Sequence, residues 1–327
     1  MPLTRRRLIV GSGGALALLA GMPALAQGDY PSRTIKMIVP YPAGGTTDLL
    51  GRLVADQIKT GLNATVIVEN KPGAATTLGA EQVARAEPDG YTLLMATSTT
   101  LAINKTLYKK LPYDPVADFA AVGLVAGVPF ALIVNPSLPV KSLTEFIAYA
   151  KSKPGLAYGS AGNGSPQHLG AEMLRSAAKI DIRHVPYRGS IPAMQDVVAG
   201  HIPFMVVDLQ PALQQIQEGK VRVLGVTTPK RVAAAPDIPT IAESGLPGFE
   251  LVAWQGVVAP AHTPKEIVDR LSAEIGKLLV DPAMRDRLKT LSLEPWQPST
   301  PDSFAAYIKA EVDRWAVIVK NSGADIE

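Results

Sequence analysis

The chain has no cysteine. That excludes disulfides, thiolate metal sites and a cysteine nucleophile together. Histidine is scarce as well, four in 327 residues, which leaves little from which to build a histidine-rich metal centre. A charge surplus is almost missing: 32 Lys plus Arg stand against 29 Asp plus Glu. Three of those basic residues are Arg5, Arg6 and Arg7, so without residues 1–26 the count is 29 against 29. No basic field remains for nucleic acid. There is no tandem repeat and no low-complexity linker. What the chain does have is apolar material: 47% of it is hydrophobic and only 19% charged, so it can bury substantial cores. Its length suits two domains.

Residues 1–26 combine the basic start MPLTRRR, the apolar run LIVGSGGALALLAGMPALA and a small-residue end at Ala24-Leu25-Ala26. This is the pattern of a secretory signal peptide. A membrane helix is the competing reading, but Gly11, Ser12, Gly13, Gly14, Pro23 and Gln27 dilute the run and no basic stop follows. The Arg5-Arg6-Arg7 cluster also resembles a twin-arginine signal. Leu8-Ile9-Val10-Gly11-Ser12-Gly13-Gly14 looks like the start of a dinucleotide fingerprint, yet Leu16 stands where the third glycine belongs, and the reading fails.

After Asp29 short β-rich runs alternate with helical patterns. Ile35–Val39 reads as a strand, then a helix from about Thr47 to Leu62 with Leu50, Val54, Ile58 and Leu62 on one face. Thr65–Val68 and Tyr91–Ala96 are further strands. A second set has strands at Ala131–Val134, Leu156–Gly159, Ile182–Val185, Phe204–Val207 and Val221–Val226. Its helices fall near Leu143–Lys151, Pro166–Ala178 and Ile191–Ala199. The C-terminal part reads as helical, with Ile267, Leu271, Ile275 and Leu278 on one helix and Phe304, Ile308, Val312, Trp315 and Val319 on the last. Alternation at this spacing predicts two α/β lobes, each a mainly parallel sheet with crossover helices. The chain is expected to cross near Gly127 and Phe249, dividing it into residues 29–127 plus 250–327 and residues 128–249.

In such folds a ligand sits beyond the carboxyl ends of strands, where helices begin. Four junctions are unusually small, polar and glycine-rich: Pro40–Asp48, Thr97–Thr100, Ser160–His168 and Val185–Ser190, the last followed by Asp208 at a strand end. The first can offer backbone N–H groups to an anion, or Thr46 or Thr47 can simply cap the helix. It lacks the lysine of a phosphate loop. Ser160 or Ser165, His168 and Asp208 supply the residue types of a nucleophilic triad, but neither serine sits in a G-x-S-x-G elbow. No pair of carboxylates occupies a comparable polar loop. The residues therefore predict neither catalysis nor a metal or cofactor.

Several of these segments are family-specific. Val39-Pro40-Tyr41-Pro42-Ala43-Gly44-Gly45-Thr46-Thr47-Asp48 resembles the opening of the Bug family, substrate-binding proteins of tripartite tricarboxylate transporters. So do Val68–Ala74, Pro88–Leu93, Pro112–Pro115, His184–Ser190, Pro236–Gly245 and Ala259-Pro260, in order across the mature chain. The resemblance implies a two-lobed periplasmic receptor that closes on a small organic acid and acts as a monomer. It would hand the ligand to transporter membrane subunits or, alternatively, to a sensor kinase. It also implies ligand contacts at Tyr41, Ala43, Gly44, Gly45 and Thr46, at Ser98, and at Ser160, Ala161 and Gly164. Tyr187 in the fourth loop joins this set, and Asp208 matches an acidic position that can meet a ligand amine or order the pocket. Where the family often has an aromatic residue before that Asp, this chain has Val207. Arg188 reads as a partner for a surface acid.

Overall fold

The computed structural model describes residues 30–322. The expected leader over 1–26 lies outside them. The order begins β1 (Ile35–Val39), α1 (Thr46–Leu62), β2 (Val66–Asn70), α2 (Thr77–Ala84), β3 (Thr92–Thr97). A wide helical turn at Thr99–Ile103 leads into α3 (Asn104–Leu107), β4 (Phe119–Val134), α4 (Leu143–Ser152), β5 (Leu156–Ser160), α5 (Pro166–Ala178) and β6 (Ile182–Pro186). There follow α6 (Ser190–Ala199), β7 (Phe204–Asp208), α7 (Leu209–Gln217), β8 (Arg222–Val226) and β9 (Val252–Pro260). The chain closes with α8 (Lys265–Val280), α9 (Pro282–Thr290), β10 (Glu294–Pro295) and α10 (Pro301–Ser322).

Local chemistry accounts for the helices that matter most. In α1 Leu50, Val54 and Ile58 recur every four residues and are buried on one face. Asp48 in its first turn and Lys59 in its last complement the helix dipole. Asn63 ends it in the left-handed conformation, with its N–H on the Lys59 carbonyl. In α5 the Ser165 hydroxyl accepts from the His168 N–H and Pro166 takes the first turn, where its missing N–H costs nothing.

The strands run β2-β1-β3-β9-β4-β7-β5-β6, with β8 and β10 also on β4. One lobe carries β2, β1 and β3 in parallel, then β9 antiparallel to β3, and the first part of β4 antiparallel to β9. The other carries β6, β5 and β7 in parallel, with the end of β4 antiparallel to β7 and to β8. The parallel pattern expected for each lobe thus holds in its three outer strands, while the inner strands run antiparallel. Strand β4 belongs to both lobes: it pairs with β9 through Pro129, then with β7 from Phe130 onward. The lobes are joined through this shared strand rather than only by short loops, and the hydrogen-bonded path is continuous.

Only the last four residues of β4 carry a strand signal in the sequence, and β9 carries none. Both are buried along nearly their whole length, so the alternation that marks a half-exposed strand is missing. Large side chains such as Trp254, Trp315, Phe130 and Phe204 fill one core that spans both lobes. A smaller core lies around Val207, Val197 and Leu209.

Candidate functional site

Where β4 changes partners, a cavity of about 180 Å³ lies between the lobes. Its floor is strand: Val128 and Phe130 from β4, Ala253 and Gln255 from β9, Thr97 at the end of β3. The register makes these neighbours, since Ala253 lies opposite Val128 and Gln255 opposite Thr97. Asp208, at the end of β7, lies opposite Phe130. Trp254 also lines the cavity, and its indole N–H donates to Glu311 Oε2 at 2.7 Å.

The walls are helix starts. Thr46 and Thr47 open α1, Gln167 opens α5, Ser190 opens α6, and Asp208 stands immediately before α7. Three of these four starts have no side-chain cap: the flanking residues Gly45, Gly189 and Asp208 make no such bond. The first N–H groups of a helix lack intrahelical partners, and the dipole adds positive potential there. Several such ends facing one small cavity favour an anion. The threonines expected as caps of α1 are engaged elsewhere. Thr46 Oγ1 donates to Asp208 Oδ2 at 2.8 Å, bridging the lobes, and Thr47 Oγ1 accepts from Gln255 Nε2 at 2.9 Å.

Among the described residues lining the cavity, Asp208 is the only one with a formally charged side chain. It is 8% exposed and accepts from Thr46 and from Gln167 Nε2 at 2.5 Å. Burial pushes its carboxyl above the usual carboxylate range, and the two hydrogen bonds only partly oppose that. A carboxyl with a raised folded-state pKa binds more protons folded than unfolded. Its contribution to stability is therefore fully present at low pH and declines as pH rises from the ordinary carboxylate range through the folded value. Asp208→Asn removes this decline. Melting temperatures of both proteins across pH 4–8 are expected to show the variant gaining on the wild type as pH rises.

The first loop is held by Asp48. Burial alone would raise its pKa, but bonds from Arg52, the Gly44 N–H and Asn70 outweigh that and lower it. Asn70 also donates to the Tyr41 carbonyl at 3.0 Å, and the Tyr41 hydroxyl donates to Thr99 Oγ1 at 3.3 Å.

Of the residues singled out in the sequence, Tyr41, Ala43, Gly45, Thr46, Ser98, Ala161 and Asp208 line the cavity. Gly44, Ser160, Gly164 and Tyr187 are not among its lining residues. The Gly44 N–H is taken by Asp48, and the Tyr187 hydroxyl donates to Asp196 at 2.5 Å. Gly164 gives its N–H to His168 Nδ1 and packs against Leu107. Ser160 is fully buried, with Oγ 2.6 Å from His184 Nε2 and 3.0 Å from the Gly162 N–H. His168 and His184 stack at 3.9 Å, and burial pushes them down to about 4 and about 3. The Ser165-His168-Asp208 triad does not assemble: Ser165 caps α5, and Asp208 bonds Thr46 and Gln167. Arg188 is exposed and forms no ion pair among the described residues.

Two polar lining residues stand out only in the structure. Gln255 sits on the unrecognised strand β9. Gln167 lies inside a loop that was recognised, but no pattern set it apart from its neighbours. Both are buried, at 5% and 6% exposure, and each has an amide oxygen without a hydrogen-bond partner. Ser98 Oγ is likewise buried and unpartnered. Three unsatisfied polar atoms on residues lining one cavity are a signature of a ligand-receiving surface.

Two lobes around an anion-receptive cavity define a solute-binding protein, and the comparisons agree. The model of the tripartite tricarboxylate transporter family receptor matches residues 50–324. Protein BugT of Bordetella pertussis is 33% identical over 330 residues, covering 100% of both chains. The structure of the R. palustris protein Rpa4515 with adipate superposes with a TM-score of 0.88 at 35% identity, covering 91% of this chain and 100% of that one. The periplasmic binding protein BugD superposes with a TM-score of 0.86 at 37% identity, with the same coverage. The chain belongs to the tripartite tricarboxylate transporter receptor family. Among the described residues no helix is long and apolar enough to cross a membrane.

Proposed function

We propose that this protein is an exported periplasmic receptor that captures a small organic carboxylate between its lobes. It delivers that acid, unchanged, to the membrane subunits of a tripartite tricarboxylate-type transporter. The observation that carries this reading is the set of uncapped helix starts around one cavity with no cationic side chain among the described residues that line it. N–H dipoles and hydroxyls hold a carboxylate there by charge-assisted bonds, roughly twice as strong as neutral ones. Adipate in the related Rpa4515 supports the ligand class, and the periplasmic BugD supports the compartment. The cavity, at about 180 Å³, is below the roughly 300–1,000 Å³ of sites for drug-sized molecules, so the ligand is small.

In this proposal residues 1–26 direct export, the mature chain works as a monomer, and the lobes divide at the β4 partner change. Contacts come from Tyr41, Ala43, Gly45, Thr46, Ser98, Ala161 and Asp208, with Gln167 and Gln255 added. Ser98→Ala is expected to weaken binding by about 1.5–3 kcal/mol, the range for a hydrogen bond to a charged group. Ser160→Ala is expected instead to lower stability by about 1–3 kcal/mol and leave affinity unchanged, because its hydroxyl serves His184. Calorimetry and thermal melting on the pair separate the two roles.

The deciding experiment is a thermal-shift screen of the mature protein against small carboxylates. A ligand at about 100 times its Kd stabilises by about 2.7 kcal/mol, and mass spectrometry should recover it unaltered. A screen in which no carboxylate raises the melting temperature, or steady product formation from a bound acid, overturns the proposal.

A further inference from the structure

We infer that the ligand carries a hydrogen-bond donor, a hydroxyl or an ammonium, in addition to its carboxylate, and that Gln167 receives it. The inference rests on the carboxylate reading and narrows it. Its starting point is the orientation of one buried amide. Gln167 lies in the first turn of α5, is 6% exposed and places Nε2 2.5 Å from Asp208 Oδ1. In this arrangement the amide turns its NH2 toward Asp208, whose two oxygens accept from Gln167 and Thr46. That leaves Oε1, buried and without a partner, as a fixed acceptor on a residue of the cavity wall.

A ligand carboxylate cannot satisfy this atom, because it too brings only acceptors. An unsubstituted dicarboxylate at neutral pH has no N–H or O–H to offer, and its charge would face Asp208. A buried carbonyl left unmatched costs free energy, and a donor on the ligand recovers it. Asp208 strengthens the demand, since among the described side chains its oxygens accept only from Thr46 and Gln167 and no cation faces it across the cavity.

The other unpartnered atoms do not carry the same constraint. Gln255 Nε2 meets the Thr47 hydroxyl, which can donate or accept, so that amide can turn either end to the ligand. Ser98 has a hydroxyl free to donate. The cavity is therefore polarised. Donors for the carboxylate gather at the α1 start, Ser98 and Gln255, and acceptors for the substituent at Gln167 and Asp208.

Three four-carbon acids test this directly, since succinate, L-malate and L-aspartate differ only in a hydrogen, hydroxyl or ammonium on one carbon. Adipate adds a longer acid without a donor. Calorimetry on the mature protein is expected to show malate or aspartate binding about tenfold or more tighter than succinate and adipate. The tighter of the two identifies the donor. Gln167→Leu is expected to bring the preferred acid to within about threefold of succinate, while Gln167→Glu, which keeps an acceptor, retains a preference for aspartate. Equal binding of all four acids, as when a water satisfies Gln167, overturns this inference and leaves the carboxylate reading standing. So does a preference that survives Gln167→Leu in a protein melting like the wild type. Should the variant fail to fold, the wild-type ranking decides alone. No binding by any of the four, with the carboxylate screen also negative, overturns both.

Discussion

Gly45→Val is expected to abolish ligand binding while leaving the protein as stable as the wild type. Gly45 precedes α1 and lines the cavity, with φ −87° and ψ 175°. That is ordinary extended backbone, which valine adopts without strain. The backbone freedom of glycine is not what the position uses. What matters is the missing side chain: a Cβ built there meets no atom within 4 Å. The branched side chain would enter the space beside the exposed N–H groups of α1 and exclude a carboxylate from them. An unchanged melting temperature with no heat of binding is the expected pair of results. Wild-type affinity in this variant would move the anion site away from α1.

Gly164→Val is expected to fail by a different route, losing both stability and affinity. Gly164 has φ +69°, a conformation that costs a branched residue roughly 1–3 kcal/mol. A Cβ there would also stand 1.8 Å from Leu107 Cδ2. Leu107 ends α3 in one lobe, Gly164 precedes α5 in the other, and Leu107 is 2% exposed with little room to withdraw. The variant therefore opposes the closed arrangement of the lobes, and its affinity should fall by about tenfold or more through that closure cost. The double variant Leu107→Ala, Gly164→Val tests the cause. Removing the leucine side chain should restore much of the affinity but not the stability lost to backbone strain. Failure of the second substitution to recover any binding would show that Gly164 acts some other way.

The sequence disclosed elements whose signals are local and one-sided. Helix α5 was readable to the residue because Ser165 and Pro166 mark its start and Leu169, Ala171 and Leu174 are buried along it. The first and second loops were legible as small polar segments at strand ends, and the cavity does lie there. The central strands were not legible: Phe119–Val134 and Val252–Pro260 are covered on both faces, so nothing alternates. That gap hid Gln255. The roles of Ser160 and Tyr187 depend on His184 and Asp196, partners that only the fold brings within reach. Family motifs locate a loop, but they do not tell which way a side chain in it turns.

Strand β9 has a consequence for how the molecule is made. It lies between β3 and β4, yet it is 155 residues later in the chain than the end of β3 at Thr97, counting to Val252. Until residues 252–260 arrive, β3 and β4 each present a long row of unmatched backbone groups with apolar faces. The first lobe is thus an unfinished sheet for most of synthesis, and its closure has to await one of the last segments to emerge. Pairings this distant carry a large loop-closure entropy and slow the search for the native state. A chain built in this order stays open long after its N-terminal end has appeared.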